Sequence, residues 1–238
     1  MPDAKSYWDD AYTDAQLALS NPGDSVLVSA LKYFGSDISN CKLLDVGCGL
    51  GKASVFFARH GASVTSIDTS AEAIKFLREY CLEHGISNIA PIRMSAEGIT
   101  ELGQFDFVFG SFILHHIEPF DEFARTLRTT LRTGGKAFFY ENNSRSSLLM
   151  WARKHVTGRL GIPKYGDEEE YPLTVDEVNT LRKYFRIGVV FPELVFFRLI
   201  PLYILRNKGE RLFSKLDDLL YKVPRFRRYS YRQYIMLS

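Results

Sequence analysis

The chain is poor in cysteine, with Cys41, Cys48 and Cys81 as the only three among 238 residues. An odd set without a metal-ligand spacing excludes a disulfide framework and gives no metal site, and it fits a reducing, cytoplasmic location. Charge of either sign is also not in excess. Thirty basic against 28 acidic side chains leave a net charge of +2, so there is no molecule-wide basic field to draw in nucleic acid. No apolar run is long enough to cross a bilayer. Leu194 to Leu205 carries Arg198 as its only charge, but Pro201 interrupts it and it falls short of the ~20 residues a spanning helix needs. The first ten residues lack a secretory apolar core, and the chain has no internal repeat, low-complexity tract or evident linker. A single domain over residues 1–238 is expected.

What is present is the composition of a folded globular protein, 46% apolar and 24% charged. From Lys42 onward short apolar runs alternate with helical periods, as parallel strands joined by crossover helices do. Strands are predicted at 42–46, 64–68, 89–93, 105–109 and 136–140, with a core of about 40–142. Helices are predicted near 52–60, from Ser70 to about Gly85, and at 120–131 with Gly134-Gly135 as the stop. Thr174 and Glu177 form a capping box for a further helix. Strands at 187–191 and 231–237 complete a doubly wound, mostly parallel α/β sheet of seven strands with an antiparallel closing strand and an inserted helical cap.

The sharpest signal is Leu43-Leu44-Asp45-Val46-Gly47-Cys48-Gly49-Leu50-Gly51, a strand running into three glycines and then a helix. Small residues let a ligand approach the backbone, and the helix N-terminus favours anionic groups. A dinucleotide fingerprint needs G-x-G-x-x-G, but the sixth position is Lys52 counted from Gly47 and Ser54 counted from Gly49. Asp68 ends the second strand 17 residues after Gly51, where a carboxylate can accept from both hydroxyls of a ribose. A ligand containing a nucleoside is implied.

Over roughly Leu43 to Asn142 these motifs, in this order, resemble the class I S-adenosylmethionine-dependent methyltransferases. The resemblance implies that Gly47, Gly49 and Gly51 pass beneath the methionine part of S-adenosylmethionine, with Asp45 supporting the turn. Asp68 would hold the ribose, with Thr69 beside it, and Ala96 and Glu97 would meet the adenine. Ser111 and Phe112, beyond the fourth strand, would line the cofactor near its sulfur. Tyr7 and Trp8 would belong to an N-terminal lid over 1–35, weighed equally against a helix packed on the sheet.

Methyl transfer needs mainly alignment and exclusion of water. If the acceptor is a hydroxyl, a base near neutrality serves it, and His115 and His116 lie beyond the fourth strand at the carboxyl edge of the sheet. Family members share a histidine at the second place across different chemistries, which gives His116 a shaping role. Glu141 is the other base candidate.

Segments of about 143–171 and 192–229 exceed a minimal core and are expected to recognise the acceptor. The fourth motif, Phe105 to Ser111, lacks the Asn/Asp-Pro-Pro-aromatic pattern of amino-methylating DNA enzymes, so the leading expectation is O-methylation of a small molecule, a sugar or a lipid-linked intermediate. The stretch 194–232 either packs in the core, caps an apolar pocket or rests peripherally on a membrane with help from Lys222, Arg225, Arg227, Arg228 and Arg232. Two alternatives remain open: an RNA methyltransferase using that basic and aromatic run, and a catalytically silent module that binds the cofactor.

Overall fold

The computed structural model describes residues 24–157, 171–205 and 208–238. Seven strands form one sheet in the order β3-β2-β1-β4-β5-β7-β6, with β1 Lys42–Val46, β2 Ser63–Asp68, β3 Ile89–Arg93, β4 Phe105–Ser111, β5 Leu131–Asn142, β6 Ile187–Val190 and β7 Arg232–Leu237. β1 to β5 pair in parallel, and β7 runs antiparallel to both β5 and β6. Chain order reverses between β1 and β4, which opens a crevice at the carboxyl ends of these strands.

The helices follow from caps and apolar spacing. α1, Ser25–Phe34, is capped by Asp24, whose Oδ1 accepts from the amides of Val26 and Leu27 at 3.0 and 3.2 Å. It buries Leu27, Ala30 and Phe34 on one face of the sheet with α2, Lys52–Arg59, and α3, Ala71–Glu83. Residues 25–34, expected within a lid, therefore form a helix packed on the sheet, while Tyr7 and Trp8 lie outside the described residues. On the opposite face α4, Phe120–Thr130, buries Phe120, Phe123, Ala124 and Leu127 at helical spacing.

Gly134-Gly135 does not stop the helix. α4 ends at Thr130, and β5 begins at Leu131, which is buried opposite Phe105; the next paired residues are Phe107 and Lys136. The extra residues bulge out at Gly134, where φ is +78°, and a Cβ on Gly135 would lie 3.0 Å from the carbonyls of Arg132 and Asp106. The glycines shape a bulge inside the strand.

Beyond β5 come α5, Ser147–His155, and α6, Val175–Leu181. The capping box of α6 forms as the sequence predicts, with Glu177 N–H donating to Thr174 Oγ1 at 3.1 Å and Thr174 N–H to Glu177 Oε2 at 2.6 Å. Between β6 and β7 the described excursion holds α7, Leu199–Tyr203, α8, Glu210–Tyr221, and α9, Pro224–Arg227. Buried Asp217 anchors it by accepting from the amides of Phe196, Phe197 and Arg198 and from Arg198 Nε. No helix among the described residues is long and apolar enough to cross a membrane.

Candidate active site

β1 delivers the chain into the glycine turn at the crevice. Gly47, Gly49 and Gly51 all have positive φ, at 67°, 50° and 86°. At Gly47 an added Cβ would meet Ile113 Cδ1 at 2.7 Å, and at Gly51 it would meet Leu77 Cδ1 at 2.3 Å. The physical reason for glycine at these two positions is thus tight packing under the turn, as well as a conformation other residues resist. Gly49 N–H donates to Asp68 Oδ2 at 2.8 Å, and Ser70 N–H donates to Oδ1 at 2.9 Å. Asp68 thereby ties the turn to the end of β2.

Asp45 lies buried below the turn, where Ser54 Oγ donates to it at 2.6 Å and is itself met by Ser66 Oγ at 2.7 Å. Burial pushes its carboxyl up to about 7; the Ser54 hydrogen bond pulls back and the negative Asp68 adds to the rise. Cys48 is pushed far up by burial and by the two aspartates, so its thiol is neutral and inert.

A cavity of about 440 Å³ opens here, within the range of small-molecule sites. Asp45, Gly47, Gly49, Ser111 and Phe112 line it, together with Tyr140 at the end of β5. Its rim carries an ion pair, Lys52 Nζ to Asp24 Oδ2 at 2.6 Å. Burial works against ionisation of Asp24, but Lys52 and the α1 amides prevail and hold it below its ordinary value.

Phe112 has φ +55°, a left-handed conformation costing on the order of 1–3 kcal/mol for such a residue. Its N–H donates to the Tyr140 carbonyl at 2.8 Å, its ring meets that of Tyr140 at 4.8 Å, and the Arg232 guanidinium sits over it at 4.6 Å. Arg232 is held in turn by the side chain of Asn142.

The two histidines separate. His115 has a side chain only 1% exposed, and its Nδ1 is 2.7 Å from Oε2 of the fully buried Glu141. The other Glu141 oxygen accepts from Ile113 N–H at 2.8 Å and Leu114 N–H at 2.7 Å. Glu141 therefore holds the 3₁₀ turn Leu114–His116 and is engaged through both oxygens. His116 is exposed, with its ring 4.2 Å from that of His115. Neither histidine lines the cavity. Thr69 and Glu97 are exposed, and Ala96 opens the 3₁₀ helix Ala96–Leu102 beyond β3.

Asp24, Lys52 and Tyr140 are site residues that the sequence reading did not single out, and Arg232 was read as part of a basic run and not as a neighbour of Phe112. A cap signal at Asp24 ahead of Val26, Leu27 and Ala30 could have found the first. Arg232 is 120 residues from Phe112 in the chain, and only the β5–β7 pairing joins them.

Residues 43–135 match a family model described as a methyltransferase domain. That segment, 93 of the 238 residues, is similar to class I S-adenosylmethionine-dependent methyltransferase domains. The chain is 29% identical over 210 residues to the ubiquinone biosynthesis O-methyltransferase of Sinorhizobium fredii, covering 80% of this chain and 83% of that protein. It is 35% identical over 112 residues to the protein of that name from Erwinia tasmaniensis, covering 45% and 46%. Several further proteins of that name, from Xanthomonas, are matched over 55% of their length. A solved S-adenosylmethionine-dependent methyltransferase from Aquifex aeolicus shares the fold, with a TM-score of 0.56 at 17% identity over 99% of this chain and 97% of that one.

The Asp45 environment makes a prediction for stability. The unfolded carboxyl ionises near 3.8 and the folded one at about 7, so between these values the native state alone holds the proton. Stability from this group is full below the lower value and is lost as pH rises through the upper one. In urea unfolding, wild type should lose stability relative to Asp45→Asn between about pH 4 and 7 and run parallel above about 8. A constant difference throughout would contradict the assignment.

Proposed function

We propose that the protein transfers a methyl group from S-adenosylmethionine to a hydroxyl of a small acceptor with an apolar tail. Support for the cofactor is the Asp68 carboxylate, held by Gly49 and Ser70 beside the glycine turn. When bound, the cofactor supplies a methyl group on a sulfonium sulfur. Gly47 and Gly49 would lie under its methionine part, Asp68 would bind the ribose with Thr69 alongside, and Ala96 and Glu97 would face the adenine. Phe112 and Tyr140 are aromatic walls of the cavity.

Hydroxyl chemistry is supported by the Glu141–His115 pair. A carboxylate on Nδ1–H fixes the ring and makes Nε2 its basic nitrogen, the arrangement of an oriented general base. In this reading His115 takes the hydroxyl proton, which requires the acceptor to uncover a ring that is 1% exposed and does not line the cavity; Glu141 is a positioning residue, and His116 packs against the ring. The relatives' name as O-methyltransferases favours the same reading. Against a nucleic-acid acceptor, two cations of the basic run are taken up within the protein, Arg227 over Tyr221 at 4.6 Å and Arg232 over Phe112, which leaves Lys222, Arg225 and Arg228 exposed.

The apolar tail is argued from a second cavity of about 280 Å³ between α5 and α7, lined by residues such as Leu149, Val156, Phe197 and Ile200. Tyr231 lines it, and the Arg232 guanidinium lies over the Tyr231 ring at 5.5 Å and over the Phe112 ring of the first cavity at 4.6 Å, so these three stacked side chains link the walls of the two cavities. Around it Leu148, Trp151, Leu202 and Ile204 are exposed, and α8 exposes Leu212, Leu216 and Leu219 along one stripe. A surface of this kind suits peripheral contact with a lipid surface.

Methyl transfer followed with labelled cofactor tests both parts. His115→Asn should lower kcat by about 10²-fold or more and remove the acidic limb of its pH profile, whereas Glu141→Gln should lower kcat and keep a limb shifted to lower pH. A His115→Asn profile with the limb intact would dismiss it as the base. Adding an apolar tail to a hydroxylated acceptor should lower KM by more than about tenfold, and equal KM values would overturn the tail assignment.

A further inference from the structure

A third cavity, of about 170 Å³, lies at the carboxyl ends of β5 and β6 where β7 begins, on the same edge of the sheet as the glycine turn. Three arginines line it, and each comes from a different part of the chain. Arg145 follows β5, Arg182 follows α6, and Arg228 precedes β7. No carboxylate lines the cavity, and none of the three guanidinium groups forms an ion pair among the described residues. Elsewhere the protein pairs such groups, as it does Arg198 with Asp217 and Glu193, and Arg132 with Asp106.

Like charges gathered in one concavity repel, and its apolar wall, built from Val178, Val189 and Phe191, concentrates their field. Guanidinium forks match tetrahedral oxyanions, often through two hydrogen bonds each. The volume suits one such group with some water, at the ~30 Å³ a water takes in the liquid. The buried Gln233 amide adds a neutral polar group to the lining.

We propose that Arg145, Arg182 and Arg228 form a binding site for a phosphate-type dianion, distinct from the cofactor cavity. Gln233 is directly opposite Glu141 in the β5–β7 register, so the site is adjacent to the strand that holds His115. The proposal stands whether or not the protein methylates a hydroxyl, because it concerns binding alone. Phosphate chemistry could be presented by a soluble phosphate ester or by the headgroup of an anionic lipid.

Calorimetric titration of the full chain with inorganic phosphate, at fixed ionic strength, tests the soluble source. Flotation with phosphatidylcholine vesicles doped with phosphatidate tests the headgroup. Arg145→Gln and Arg182→Gln should each weaken binding by at least about tenfold, Arg182→Lys should weaken it less, and Arg59→Gln, an exposed arginine far from the cavity, should leave it unchanged. Saturable phosphate uptake with this pattern identifies a soluble ligand; vesicle binding alone with this pattern identifies a headgroup. Absence of both, or equal loss in Arg59→Gln, overturns the site. Circular dichroism and an unchanged urea midpoint establish that the variants are folded.

Discussion

The hydrogen bond from the Gly49 amide to the Asp68 carboxylate organises the site. It joins the loop after β1 to the end of β2 at the place where the sheet reverses its chain order, and it fixes both the height of the glycine turn and the direction of the carboxylate. Neither could be held by the turn alone, since its glycines have no side chains with which to anchor it. Underneath, Ile113 and Leu77 fill the space that a Cβ at Gly47 or Gly51 would need, and Asp45 hydrogen-bonds Ser54 on the first turns of α2. Binding groups are in this way set before any ligand arrives, which is what lowers the ordering cost of binding.

A second carboxylate does comparable work across the crevice. Glu141 spends one oxygen on two backbone amides and the other on His115, which locks the segment following β4 against the end of β5. Phe112 keeps its left-handed backbone in that clamp, with Tyr140 and Arg232 packed on its ring. The two clamps hold segments that line one cavity, the glycine turn on one side and Phe112 on the other.

The strands were legible because parallel strands buried on both faces read as continuous apolar runs; β1 and β3 fall at the residues predicted, and the capping box of α6 formed as read. Gly134-Gly135 was misread because a bulge and a helix stop use the same residue for the same left-handed φ, and only pairing of Leu131 with Phe105 distinguishes them. The glycine turn and Asp68 could be placed from local spacing, but Asp24 carries only a helix-cap signal, and Tyr140 and Arg232 carry no local signal of the site. They meet through α1 packing and the antiparallel β5–β7 pair, both of which are set by contacts distant in sequence. A role for His116 apart from His115 was legible in the sequence, but which of the two rings is buried was not, since that depends on where Glu141 points.

Isothermal titration with S-adenosylhomocysteine, comparing wild type with Asp68→Asn, addresses the central claim most directly. Wild type should take up one equivalent per chain saturably, and the variant should bind at least about tenfold more weakly, since it loses charge-assisted hydrogen bonds. No uptake by folded wild type, or equal affinity in the two proteins, would contradict the account.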